Sequence, residues 1–141
     1  MASEPVDLFV YGTLMVPSIM REAGGHEGPS EPARLAGYRR GCIEGETYPG
    51  IVPAPGDSVE GMLYCGLTVA AIIRLDRFEG EYYARLPVHL AIRSGNVSAD
   101  AYVIRPGFAH MVTAEPWSLD GFLSRHIDRF VSDYVGFDTG D

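Results

Sequence analysis

The sequence predicts an α+β fold, and two observations carry that expectation. Five or six runs read as strands, the clearest being residues 83–93 and 97–105, which form a hairpin. Helical patterns are few and do not alternate with the strands, as they would in a doubly wound parallel sheet.

Residues 6–11 alternate Val6, Leu8 and Val10 against Asp7, Phe9 and Tyr11, a strand that Gly12 and Thr13 end. Pro17 suits the first position of a short helix through Ala23, which Gly24 and Gly25 stop. Residues 24–32, rich in Gly, Pro and Glu, read as a loop, and residues 33–43 as the next strand. Residues 48–53 form a short extended piece between prolines. Pro55, Gly56, Asp57 and Ser58 read as a turn separating it from a strand over 59–67. Thr68 can cap a helix running to Phe78 or Glu79. The hairpin follows, joined at Ser94, Gly95 and Asn96, with Pro87 marking an edge position or a bulge. A final helix spans 118–135: Leu119, Phe122, Leu123, Ile127, Phe130, Val131 and Tyr134 form its apolar stripe, and Gly136 ends it.

The 141 residues are expected to form a single domain, 1–141, large enough to bury a core without disulfides or metal. An apolar share of 46% and a charged share of 21% fit a soluble globular protein. No apolar run approaches the roughly 20 residues of a membrane span. Residues 1–5 lack the basic and apolar regions of a signal peptide, so the expected compartment is the cytoplasm. A formal charge of −8 argues against nucleic acid or an anionic membrane as partner. The oligomeric state is not readable.

Cys42 and Cys65 match neither a metal spacing nor a disulfide framework, and in strand-like runs they read as small apolar residues. His26, His89, His110 and His126 show no ligand spacing, and His126 lies near the stripe of the last helix. There is no Gly-x-Ser-x-Gly elbow, phosphate loop or dinucleotide fingerprint.

Two segments suggest chemistry. Spacing the helix before Glu79 at 100° per residue puts Ala71, Ile72, Leu75, Phe78 and Glu79 on one side and Arg74 and Arg77 opposite. Glu79 is then either an acid/base whose pKa burial raises, or a structural carboxylate bonded to an arginine or to backbone amides. The turn Tyr11, Gly12, Thr13 and Leu14 is either an ordinary strand-to-helix connection or a row of N–H groups that cradles a carboxylate or an oxyanion. Tyr11, Tyr38, Tyr48, Tyr64, Tyr82, Tyr83 and Tyr102 lie in or beside strands. Several could line one cavity with hydroxyls, or pack with those hydroxyls satisfied.

FVYGTL at 9–14, YPGIVP at 48–53, VEGMLY at 59–64 and LDRFEG at 75–80, with Tyr83 and Arg85 after it, together resemble the gamma-glutamyl cyclotransferase-like family. The resemblance implies a small, mostly antiparallel β-barrel flanked by helices, with no metal and no cofactor. It implies that residues 11–14 bind the α-carboxylate and α-amine end of a gamma-glutamyl group and that Glu79 is the acid/base. It places Tyr83, Tyr48 and Tyr102 at the substrate. The implied reaction closes a gamma-glutamyl group to 5-oxoproline and releases an amine or amino acid. A non-catalytic module that binds a small carboxylate, or a gamma-glutamyl hydrolase releasing glutamate, would use the same pocket differently.

Overall fold

The computed structural model describes residues 5–125. Five strands close into a barrel. They are β1 (Val6–Val10), β2 (Ser30–Cys42), β3 (Pro49–Leu67), β4 (Tyr83–Ile92) and β5 (Gly95–Ile104), in the order β1-β3-β2-β4-β5. All neighbours are antiparallel except β1 and β5, which pair in parallel at Leu8 with Asp100 and Phe9 with Ala101. Helices α1 (Pro17–Gly24), α2 (Val69–Glu79) and α3 (Leu119–Arg125) flank it, so the fold is the expected α+β barrel. No helix among the described residues is long and apolar enough to cross a membrane.

The alternation in β1 divides the core. Leu8 and Val10 join Met20, Ile72, Leu75 and Phe122 beneath the helices. Phe9 and Tyr11, pointing the other way, join Leu35, Ile51, Val59, Leu63, Leu90 and Val103 in a second cluster supplied by the strands. A one-residue slip of β1 would exchange these two sets, so its register is strongly specified.

α2 begins where Thr68 accepts a hydrogen bond from the Ala71 N–H at 3.1 Å. It ends at Gly80, whose φ of 81° opens the left-handed region that a side chain disfavours. Ala71, Ile72 and Leu75 are buried, and Arg74 and Arg77 are exposed, as the 100° spacing predicts. α1 stops at Gly25, φ 71°, whose N–H bonds to the Arg21 carbonyl.

Several expected boundaries are corrected. β3 is one continuous strand through the predicted turn at Pro55, Gly56, Asp57 and Ser58. The turn chemistry is absorbed as a bulge: pairing jumps from Ala36 with Ser58 to Tyr38 with Pro53, and Gly37 and Gly56 both take positive φ. β2 starts at Ser30, inside the stretch expected to be loop. The hairpin joint is Arg93 and Ser94, because Ile92 pairs with Gly95. Pro87 faces Asp100 of β5 at a level where β4 has no β2 partner, so of the edge position and the bulge expected there the edge is found. Both cysteines lie in strands, as expected, with Cys65 exposed and Cys42 partly buried. The predicted final helix begins as α3, with Ser118 Oγ accepting from the Gly121 N–H. Its continuation to 135, with His126, lies outside the described residues.

Candidate active site

One cavity of about 480 Å³, open solvent at its mouth included, gathers Tyr11, Gly12, Thr13, Leu14, Tyr48, Glu79, Tyr83 and Tyr102. Phe9, Val10, Pro49 and Phe78 complete the lining.

Three elements deliver these groups, apart from Tyr48, which immediately precedes β3. β1 ends at Val10, and the chain turns through a single 3-10 turn, Thr13–Met15. Gly12 is required there by space: a Cβ would lie 2.8 Å from Pro49 Cγ and 2.9 Å from Pro49 Cδ. The missing side chain thus admits Pro49, at the start of β3. α2 presents Glu79 as its last residue, and the β4–β5 hairpin presents Tyr83 and Tyr102.

Three carbonyls of the turn are engaged. Arg40 Nη1 donates to the Tyr11 carbonyl at 2.8 Å, the Met15 N–H to that of Gly12 at 2.9 Å, and the Val16 N–H to that of Thr13 at 3.0 Å. A trans peptide sets its N–H antiparallel to its C=O, and no described peptide is cis. The N–H groups of Gly12, Thr13 and Leu14 therefore point away from those donors, and no protein acceptor for them is found among the described residues. Unmatched donors of this kind form a concavity suited to an anion.

Glu79 is partly buried, and its carboxyl makes no hydrogen bond or ion pair with another described side chain. Burial in the wall, reinforced by the charge of Asp76, pushes its pKa from 4.5 up to about 8. Asp76 precedes it by three residues, so the two carboxyls share a side of α2. The same acid lies behind the raised pKa of Tyr11, whose first cause is burial and whose second is Glu79.

Asp76 is itself held. Tyr102 O–H donates to Asp76 Oδ1 at 2.7 Å, and Arg85 Nε donates to the same oxygen at 3.0 Å. Arg85 Nη1 also donates to Asp100 at 2.6 Å. Burial, then the bond to Asp76, keeps the Tyr102 phenol protonated.

Tyr11 O–H donates to the Tyr102 carbonyl at 2.6 Å, and Tyr83 O–H to the Pro49 carbonyl at 2.7 Å. The protons of these hydroxyls, with that of Tyr102, are committed within the protein. For these residues satisfied packing describes the structure better than a lining of free donors.

Sequence reasoning missed Arg40, Asp76, Arg85 and Asp100 as members of the site's surroundings. Asp76 had a readable signal, a second carboxyl one turn before Glu79. The other three depend on strand register. Among the described residues no group of three or more His, Cys, Asp or Glu is placed to hold a metal ion. Burial raises the thiol pKa of both cysteines, the opposite of activation.

A closed β-barrel thus carries a cavity in which the backbone turn at residues 11–14 stands with a carboxyl whose pKa burial raises. Residues 8–119 match the family described as gamma-glutamyl cyclotransferase, AIG2-like, and the chain belongs to that family. It is 34% identical over 129 residues to AIG2-like protein D of Arabidopsis thaliana, covering 88% of this chain and 83% of that protein. The solution structure of another Arabidopsis thaliana protein superimposes with a TM-score of 0.70 at 23% identity, covering 95% of this chain and 91% of that one. A structure named as a gamma-glutamyl cyclotransferase superimposes with a TM-score of 0.64 at 19% identity, covering 72% and 68%. At these identities the two structural likenesses show the fold.

Proposed function

We propose that the protein is an enzyme that cyclises a gamma-glutamyl group to 5-oxoproline and releases an amine or amino acid, with Glu79 as the general acid/base. The observation that carries this reading is the Glu79 carboxyl, raised to about 8 and free of side-chain partners among the described residues, on the wall of the cavity that the Gly12–Leu14 donors line. A structural carboxylate would hold an arginine or a backbone amide.

In this reading the substrate's α-ammonium enters beside Glu79. Its positive charge draws the carboxyl to its ionised form, and the carboxylate takes a proton from the ammonium. The freed amine attacks the substrate's own γ-carbonyl carbon. A C–N bond forms, closing a five-membered ring, and the carbonyl π electrons move to oxygen. The N–H groups of Gly12, Thr13 and Leu14 stabilise that oxyanion and hold the α-carboxylate end. A preorganised donor of this type contributes roughly 3–4 kcal/mol to the transition state in other enzymes. As the oxyanion collapses, the bond to the leaving nitrogen breaks and Glu79 returns its proton to that nitrogen. The ring nitrogen, which still carries two protons, passes one to the released amine, so that the products are a neutral lactam N–H and an ammonium. The nucleophile belongs to the substrate, so the protein supplies proximity and one shuttled proton. Tyr11, Tyr48, Tyr83 and Tyr102 shape the walls, with Tyr102 tied to Asp76.

The test is a mass-spectrometric search for 5-oxoproline after incubation with mixed gamma-glutamyl amino acids and amines, with Glu79→Gln alongside. 5-Oxoproline from the native protein alone supports the reading, and the consumed compound names the substrate. Glutamate as product points to hydrolysis. No consumption, with 5-oxoproline still raising the melting temperature, points to a binding module.

A further inference from the structure

We infer that Arg40 is a positioning residue of this site: held over Trp117, its guanidinium fixes the Tyr11–Gly12 peptide so that the Gly12 N–H faces the cavity. The inference rests on the reading of that cavity as a gamma-glutamyl site.

Tyr11 lies one residue beyond the end of β1, so its carbonyl falls outside the strand's ladder. Arg40 reaches it from β2, where it pairs with Ile51. Nη1 bonds both the Tyr11 carbonyl at 2.8 Å and the Glu60 carbonyl at 3.1 Å. A partly buried cation is usually matched by a carboxylate. Among the described residues Arg40 forms no salt bridge, and its hydrogen bonds go to two neutral carbonyls. Its Cζ stands 5.5 Å from the Trp117 ring centre, where the ring face attracts a cation. Trp117 is anchored in turn, donating its indole N–H to the Thr47 carbonyl at 2.9 Å and packing on Phe122. Thr47 precedes Tyr48 of the cavity wall.

The other two peptides of the cradle are held by the backbone, through the Met15 and Val16 N–H groups. The Tyr11–Gly12 peptide alone is held by a side chain. It is also the one most able to rotate, because Gly12 accepts backbone angles other residues refuse. If it turned over, a carbonyl oxygen would replace an N–H at the cavity wall and repel the anion that the cradle is shaped for.

The experiment compares the full chain with Arg40→Met and Arg40→Lys. Methionine keeps an apolar stem beneath Trp117 and removes every donor, whereas lysine keeps the charge and can still reach one carbonyl. Amide resonances of the ¹⁵N-labelled proteins are followed, with 5-oxoproline as the probe. In Arg40→Met the Gly12 amide should shift or broaden while those of Phe9 and Ala101 in the barrel stay in place. Affinity for 5-oxoproline should fall about ten- to hundredfold, the effect of losing one charge-assisted hydrogen bond. Arg40→Lys should recover part of both. An unmoved Gly12 amide with unchanged affinity overturns the inference, as does a barrel that shifts as much as the turn. If Arg40→Met fails to fold, Arg40→Lys is read by the same amides: a change confined to residues 11–14 supports the role, and none overturns it. If the native protein neither binds nor forms 5-oxoproline, the cyclotransferase reading fails, while the Gly12 amide still decides the role of Arg40.

Discussion

Glu79→Gln keeps the size and polarity of the side chain and removes its ionisation, so it tests the catalytic role and the electrostatics together. The folded carboxyl titrates near 8 and the unfolded one near 4.5. Between those values the native state holds a proton that the unfolded chain has released, so native stability falls as pH rises through that window. The linkage ceiling is about 5 kcal/mol at ~1.36 kcal/mol per pH unit. Glu79 keeps part of its surface in water, which screens the effect, and about 2 kcal/mol is the working expectation. Glutamine carries no such penalty. The variant should therefore melt above the native protein at pH 9, by about 4–8 °C for a chain of this size. The gap should close as pH falls toward 4.5. Over the same preparations, 5-oxoproline formation should drop by about 10²–10⁴. Thermal unfolding at several pH values and a product assay give both numbers. Equal melting temperatures at pH 9, or a variant that keeps full turnover, would refute the reasoning. A variant less stable than native at pH 9 would identify Glu79 as a carboxylate with native partners.

Other substitutions read the surroundings. Asp76→Asn removes the negative charge that helps raise Glu79, so the rise of kcat/KM with pH should move to lower pH; burial, the larger cause, persists, so the limb should stay above 4.5. Gly12→Ala places a methyl against the Pro49 ring, and denaturant unfolding should show a loss of about 1–3 kcal/mol together with loss of turnover. Leu75→Ala empties a fully buried position under α2 and should cost about 2–5 kcal/mol by the same measurement, with weaker effects on any activity that survives.

The place of Glu79 at the end of α2 was legible because the helix keeps an uninterrupted 3.6-residue period from Ala71 and Thr68 signals its start. The turn at Gly12 was legible from the break in alternation after Tyr11. Arg85 beside Tyr102 was not. The hairpin was expected to turn at Ser94, Gly95 and Asn96, and moving the joint to Arg93 and Ser94 changes every cross-strand partner. Only in the observed register does Arg85 face Tyr102 and come within reach of both Asp76 and Asp100. β3 was divided in the sequence reading because Pro and Gly at 55–56 satisfy a turn and a bulge equally well. Only the partner strand, with Gly37 opposite, decides between them.

The sequence by itself determined the α+β class, the faces of β1 and α2, and the two candidate segments at 11–14 and 75–80, because each depends on residues a few positions apart. Tertiary structure decided that those segments meet in one cavity and that Glu79 lies there without a partner among the described side chains. It also decided that three tyrosine hydroxyls give their protons to protein acceptors, and that Arg40 holds the carbonyl preceding Gly12. These facts join residues that lie 26 to 91 positions apart, a separation at which local periodicity carries no information and only barrel closure brings the groups into contact.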